Sequence, residues 1–86
     1  MQKGWLKCKV SGGQLPNEYA VQCSSADGGV FSFFASPDFI DEKENLVKVD
    51  VMDCRNNICL VYVPFEPLEG VSRTVKVDLN RIVEIK

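Results

Sequence analysis

Histidine is absent from this 86-residue chain. Without an imidazole, the chain cannot form the Ser–His or Cys–His pairs that activate many enzymatic nucleophiles. The common catalytic zinc sites, which use histidine ligands and leave one coordination position open, are excluded as well. No apolar run approaches the ~20 residues that a membrane-spanning helix needs, so we expect no contact with a membrane. We also expect no bound cofactor.

The remaining composition is that of an ordinary globular domain. Hydrophobic residues make up 45% of the chain and charged residues 26%, so a single domain covering residues 1–86 is expected. A core this small predicts a marginal stability, on the order of 5 kcal/mol. The formal net charge of -2 at pH 7 argues against strong non-specific binding of nucleic acid, although it is compatible with a local basic face.

The N-terminal sequence Met-Gln-Lys-Gly-Trp-Leu-Lys lacks the apolar core of a secretory signal peptide. We therefore expect a cytoplasmic protein. Because cytoplasmic thiols are kept reduced, all four cysteines are expected to be free.

Alternation of apolar and polar residues predicts several short strands separated by turn signals. Asp27-Gly28-Gly29 is a hairpin signal, and Asn56-Asn57 suits the positive φ angles of a two-residue type I′ turn. Pro64 and Pro67 cannot donate to a strand ladder, so residues 64–70 are predicted to form a loop. The predicted strands cover residues 5–10, 19–24, 30–35, 46–54, 58–63, 71–78 and 82–85.

One short helix is also predicted. Ser36 suits the N-cap position, Pro37 suits the first helical position, and Asp38 lies where the helix dipole favours an anion. The helix is expected to end near Asn45. A loop or a single 3₁₀ turn is the alternative.

The C-terminal segment carries the strongest indication of the fold. A strand is followed by a single turn at Leu79-Asn80-Arg81 and by a short final strand. This order resembles the end of SH3-like barrels, in which the turn carries the chain from one sheet to the other. We therefore expect an all-β fold, a small SH3-like partly open β-barrel of five to seven short strands with at most one short helical turn. An OB-like barrel is the alternative.

Two of the cysteines are predicted to face each other. If Asn56-Asn57 is a two-residue turn, Arg55 pairs with Ile58 and Cys54 lies opposite Cys59, with Cα atoms roughly 4.5 Å apart. This thiol pair could form a cross-strand disulfide or half of a metal site. The alternative, which we expect, is that both side chains act as small hydrophobic residues beside Met52 and Val61.

Three aromatic residues lie at strand ends, in loops or on less regular faces. They could line a peptide groove or stack on nucleic-acid bases, or they could close the ends of a thin barrel instead. The segment 64–68 is the predicted peptide-contacting loop. The three residues are Trp5, Phe34 and Phe65.

Basic residues lie near both termini, which are often neighbours in a barrel. They could form one basic patch for nucleic acid, and the alternative is an ordinary mixture of solvated charges. The candidate residues are Lys7, Lys9, Arg73, Lys76 and Arg81.

These observations predict a non-enzymatic binding module, most simply one for a protein or peptide. Exposed strand edges could also pair with a second copy of the chain to give a homodimer. The first alternative is a nucleic-acid-binding barrel that uses the basic patch. The second is a thiol-based redox or metal site at the hairpin of Cys54 and Cys59.

Overall fold

The computed structural model describes residues 2–68 and 72–85, and within them the chain is all-β, as predicted. Nine strands are present there, more than expected, because the first predicted strand is divided in two and a two-residue strand follows the fourth. The predicted strand 71–78 begins at Thr74, and Val71 lies outside the described residues. The strands are β1 (Gln2–Lys7), β2 (Lys9–Gly12), β3 (Tyr19–Ser24), β4 (Val30–Ala35), β5 (Ile40–Asp41), β6 (Leu46–Arg55), β7 (Ile58–Tyr62), β8 (Thr74–Asp78) and β9 (Ile82–Ile85).

The strands form two antiparallel sheets. The larger sheet has the order β8-β7-β6-β1-β9, with β5 paired to β6, and the smaller sheet has the order β2-β3-β4. β1 and β2 are separated only by Cys8, so one nearly continuous stretch of chain passes from the larger sheet to the smaller one. The Cys8 amide donates to the Asn45 carbonyl at 3.0 Å, which holds this crossing point against the start of β6.

The larger sheet is strongly curled, because a short turn joins its two edges. β8 and β9 lie at opposite ends of the strand order, yet only the 3₁₀ turn Leu79–Arg81 connects them. Four strand spacings in a flat sheet would separate these edges by roughly 19 Å. The chain from Asp78 to Ile82 can span at most about 15 Å. Among the described residues no pairing joins β8 to β9, so the curled sheet stays open and is not a closed barrel.

A single apolar cluster fills the space between the two sheets. Phe33 lies in it with 1% of its surface exposed, and no polar or charged residue is buried among the described residues. Most of the cluster is valine, which suits a pleated surface that packs on one side. Its members are Leu6, Val21, Cys23, Phe31, Phe33, Ala35, Val47, Val49, Val51, Cys59, Val61, Val63 and Val77.

The predicted helix ending near Asn45 is wrong, and the alternative of a single 3₁₀ turn at this place is confirmed. A 3₁₀ turn begins at Pro37 after Ser36, yet it ends at Phe39. Ile40 then pairs with Val47 as part of β5, because a strand partner is available to its backbone at this point. The turn Leu79–Arg81 is a second 3₁₀ turn, so two such turns are present where at most one helical turn was expected. No described helical segment has the length and apolarity that crossing a membrane requires.

Truncating Phe33 tests the importance of the shared core. Phe33→Ala should lower the free energy of unfolding by about 3 to 5 kcal/mol, enough to unfold much of a domain of this size. Val30→Ala is the matched control, because Val30 lies on the same strand with 51% of its surface exposed, and its effect should stay within about 0.5 kcal/mol. Urea denaturation followed by circular dichroism measures both. Equal midpoints for the two variants would contradict this account of the core.

Candidate binding groove

A concave surface lies between the β3–β4 turn and the strands β6, β7 and β8. We call it the hairpin groove, and its volume is about 830 Å³. One wall comes from the turn and the start of β4, and the rest comes from the three strands. The lining residues are Ser25, Ala26, Asp27, Gly29, Val30, Phe31, Asp53, Arg55, Asn56, Ile58, Leu60, Val75 and Lys76.

The β3–β4 turn is held rigidly by its own hydrogen bonds. The Ser25 hydroxyl donates to the Asp27 carboxylate, and the Gly29 amide donates to the same carboxylate at 2.9 Å. Gly28 has a φ of 90°, which glycine adopts without strain. The hydrogen bond from Ser25, followed by the one from Gly29, holds the pKa of Asp27 below its usual value. The carboxylate therefore stays ionised at neutral pH.

A backbone hydrogen bond joins this turn to the larger sheet. The Ala26 amide donates to the Lys76 carbonyl at 2.8 Å, so the turn lies against the edge of β8. This contact fixes one wall of the hairpin groove relative to the strands that form the rest. It also pairs part of an edge strand that would otherwise be exposed.

The strands place apolar side chains between opposite charges. β7 alternates buried Cys59 and Val61 with half-buried Ile58 and Leu60, so the latter two lie on the side of the strand away from the core. Leu60 is directly opposite Lys76 on one neighbouring strand and Asp53 on the other. This cross-strand row therefore runs from a cation over an apolar side chain to an anion.

The two-residue turn before β7 has the predicted conformation. Asn56 and Asn57 have φ angles of 52° and 66°, as a type I′ turn requires. Cys54 lies opposite Cys59 and Arg55 lies opposite Ile58, so the predicted register is confirmed.

Just before this turn, a β-bulge changes which residues of β6 point towards the core. Val51 pairs with Val61, but Asp53 pairs with Leu60, so Met52 is an extra residue in β6 and is 43% exposed. The sequence pattern predicts Met52 on the same face as the two cysteines. The bulge makes this prediction wrong, because it shifts the alternation of β6 at Met52. The bulge also allows Cys59 to join the core while Asp53 lines the groove.

Cys54 and Cys59 form a disulfide with their Cα atoms 4.0 Å apart. The expectation of free thiols is wrong for this pair, because the two-residue turn brings the cysteines directly opposite each other. Cys54 is exposed, whereas Cys59 is fully buried. The disulfide thus crosslinks β6 and β7 one residue away from the groove residues Arg55 and Ile58.

Cys8 and Cys23 are free and lie close together. The hydrogen bond between the two thiols lowers the pKa of Cys8 and raises that of Cys23, and burial raises the pKa of Cys23 further. The Cys8 thiol in turn lies 3.5 Å from the Asn45 carbonyl. Within the described ranges no group of three or more potential metal ligands is found.

The predicted aromatic residues lie outside the hairpin groove. Phe65 packs against Phe33 and Phe39, with ring centroids 6.4 and 5.3 Å away, so it closes one end of the core. Trp5 is half-buried on β1, and the Lys48 ammonium lies 5.5 Å from its ring centroid. Phe34 is half-buried and lies in a separate depression of about 260 Å³.

Arg73 is used within the chain. Its guanidinium lies over the Tyr62 ring at 4.4 Å and donates to the Val63 carbonyl at 3.1 and 3.2 Å. It also donates to the Pro64 carbonyl at 2.7 Å. These contacts give Arg73 a structural role in holding the segment that follows β7.

The other predicted basic residues lie on different elements. Lys76 lies on β8 and is the only predicted binding residue that lines the hairpin groove. Lys9 lies on β2 and shares the small depression with Phe34. Lys7 lies at the end of β1 opposite Leu46, and Arg81 is exposed in the second 3₁₀ turn.

Sequence reasoning missed most of the groove. Both hairpin turns were predicted, but no local pattern shows that residues 25–31 meet residues 53–60. The only available signal was the alternation on β7, which leaves Ile58 and Leu60 on the side away from the core. Comparison with known protein families, curated protein sequences and solved structures finds no match.

The hydrogen bonds of the β3–β4 turn predict the titration of Asp27. Ser25→Ala should raise the pKa of Asp27 towards its ordinary value of 3.8, whereas Ser24→Ala, the control, should leave it unchanged. Since the folded-state pKa is depressed, the contribution of Asp27 to stability is present above its ordinary pKa and is lost as the pH falls through the folded-state value. NMR titration of the carboxyl carbon measures this. An Asp27 pKa that is the same in the wild type and in Ser25→Ala would contradict the assignment.

Reduction of the disulfide should destabilise the domain. For a loop this short, chain entropy predicts a loss of about 2 kcal/mol in the free energy of unfolding. Urea denaturation with and without dithiothreitol measures the loss, and the double variant Cys54→Ala/Cys59→Ala is the control that should not respond to the reductant. An intact mass that does not increase by two hydrogens on reduction would show that the bond is absent.

Proposed function

We propose that this chain is a small non-enzymatic binding domain that holds an extended peptide segment of a partner protein in the hairpin groove. The observation that carries the proposal is the groove itself. Its volume of about 830 Å³ lies within the range of about 300 to 1,000 Å³ typical of ligand sites. It also has apolar side chains at its centre and charged ones around them, the usual arrangement of a recognition site.

The charges of the groove favour a peptide over a nucleic acid. The lining includes two carboxylates, from Asp27 and Asp53, and two cations, from Arg55 and Lys76. A phosphate backbone would require a concentrated positive surface, which a balanced set of charges does not supply. A polypeptide can present apolar and charged groups of either sign.

The surroundings of the two lining carboxylates, Asp27 and Asp53, support binding over catalysis. A general acid at neutral pH needs a raised carboxyl pKa, whereas the pKa of Asp27 is lowered by its hydrogen bonds. The Asp53 carboxylate lies 3.1 Å from the Arg55 guanidinium and is partnered as an anion. We therefore propose no enzymatic activity for the groove.

We also propose that the curled sheet is an SH3-like, partly open barrel rather than an OB-like one. Support comes from the connection of β8 to β9 by one 3₁₀ turn, which carries the chain from one edge of the sheet to the other. β9 then pairs with β1. Pairing of its outer edge with a second copy, to form a homodimer, remains a prediction.

The cytoplasmic location also remains a prediction. The Cys54–Cys59 disulfide counts against that prediction, since cytoplasmic thiols are usually kept reduced.

Selection from a random peptide library tests the proposed function. Immobilised oxidised protein should enrich specific sequences from octapeptides displayed on phage. Leu60→Asp and Ile58→Asp should each weaken binding of the enriched peptides by about tenfold or more, because they place a charge in the apolar centre of the groove. Gln22→Asp, an exposed change on the smaller sheet, is the matched control and should bind like the wild type.

Two results would contradict the proposal. One is the absence of any enriched peptide. The other is loss of binding in Gln22→Asp with full binding in both groove variants, provided that all variants have unfolding midpoints near that of the wild type. A single-stranded oligonucleotide that binds with a steep dependence on salt would replace the peptide with a nucleic acid.

A further inference from the structure

This inference rests on the proposed function and concerns the chemistry of the peptide. We propose that the hairpin groove selects an extended segment in which an aspartate or glutamate lies two positions from a branched or aromatic apolar residue. The carboxylate would contact Lys76, and the apolar side chain would cover Leu60 and Ile58.

Three of the four charged side chains that line the groove already have partners within the chain. The Asp53 carboxylate and the Arg55 guanidinium form an ion pair at 3.1 Å, so the β6 end of the groove is neutral as a unit. Asp27 accepts hydrogen bonds from Ser25 and Gly29. Among the side chains that the structure describes, those of residues 2–68 and 72–83, no carboxylate lies within 4.0 Å of the Lys76 ammonium. The charge that lies beside Leu60 and has no described partner is therefore the cation of Lys76 on β8.

The spacing of the strands sets the spacing in the peptide. Lys76 and Leu60 are directly opposite each other, and such pairs have Cβ atoms about 4.5 to 5.5 Å apart. In an extended peptide, side chains two residues apart point to the same side and lie roughly 6.6 to 6.8 Å apart. The flexible stem of a lysine covers the small difference. One face of a single extended segment can therefore contact both residues.

A basic residue in the peptide should bind less well at this position than an acidic one. A lysine or arginine placed over Leu60 in the same way would bring a second cation to the ammonium of Lys76. Like charges this close to each other are unfavourable. The Asp53–Arg55 pair at the other end offers no compensating net charge. The expected preference for an acidic residue is thus set by Lys76, which lies directly opposite Leu60.

Parallel library selections test this preference by reversing the charge. The wild type should enrich acidic over basic residues two positions from an apolar residue by about tenfold. Lys76→Glu should enrich basic residues at that position instead. Lys43→Glu is the matched control, because Lys43 is also exposed but lies outside the groove, and it should select the same peptides as the wild type.

Synthetic peptides then separate the contact from general charge effects. For an enriched peptide, replacing its aspartate by asparagine should weaken binding to the wild type by about tenfold and leave binding to Lys76→Glu unchanged or improved. Fluorescence anisotropy of the labelled peptides measures both affinities.

The outcomes distinguish this inference from the proposed function. Enrichment of peptides without an acidic preference, or the same peptides selected by Lys76→Glu, overturns the inference and leaves the proposed function standing. No enrichment by any form of the protein overturns both. A dimer in sedimentation equilibrium that Leu60→Asp dissolves, with no peptide enriched, would identify a second copy as the occupant and overturn the inference.

Discussion

The short connection between β8 and β9 is the constraint on which the rest of the structure depends. Three residues, Leu79–Arg81, join the two edges of the larger sheet, so that sheet has to curl around its own apolar face. The curl leaves one side open, and the smaller sheet covers it with Phe31 and Phe33. The same curl places the edge of β8 where the Ala26 amide can pair with it. The hairpin groove is a consequence of this arrangement.

At the end of the β6–β7 hairpin, one inserted residue determines which side chains of β6 face the core and which line the groove. The bulge at Met52 shifts the pairing of β6 by one residue, so that Val51 faces the core and Asp53 lies opposite Leu60. On the facing strand β7, Cys59 lies in the core, and its disulfide to Cys54 of β6 crosslinks the two strands. The crosslink limits fraying of a hairpin end whose outward side chains line the groove.

Much of the fold could be predicted from the sequence, because local patterns determine its elements. Alternating valines indicate β6, and Asn56-Asn57 determines both the turn and the register of the two cysteines. The bulge could not be predicted, because the alternation through Val47, Val49 and Val51 continues smoothly into polar residues. The groove could not be predicted either, since its walls come from the separate segments 25–31, 53–60 and 75–76. The backbone hydrogen bond between Ala26 and Lys76 that joins two of them is not encoded by any side-chain pattern.

The central claim is that the ligand lies between the β3–β4 turn and the β7–β8 strands. The most direct measurement is a ¹⁵N–¹H correlation spectrum of the oxidised protein, titrated with an octapeptide enriched from the library. The account predicts that the largest changes in amide shift occur at Ala26, Leu60 and Lys76. Changes centred on Gln22 and Phe34, with those three amides unmoved, would place the ligand on the smaller sheet and contradict the account.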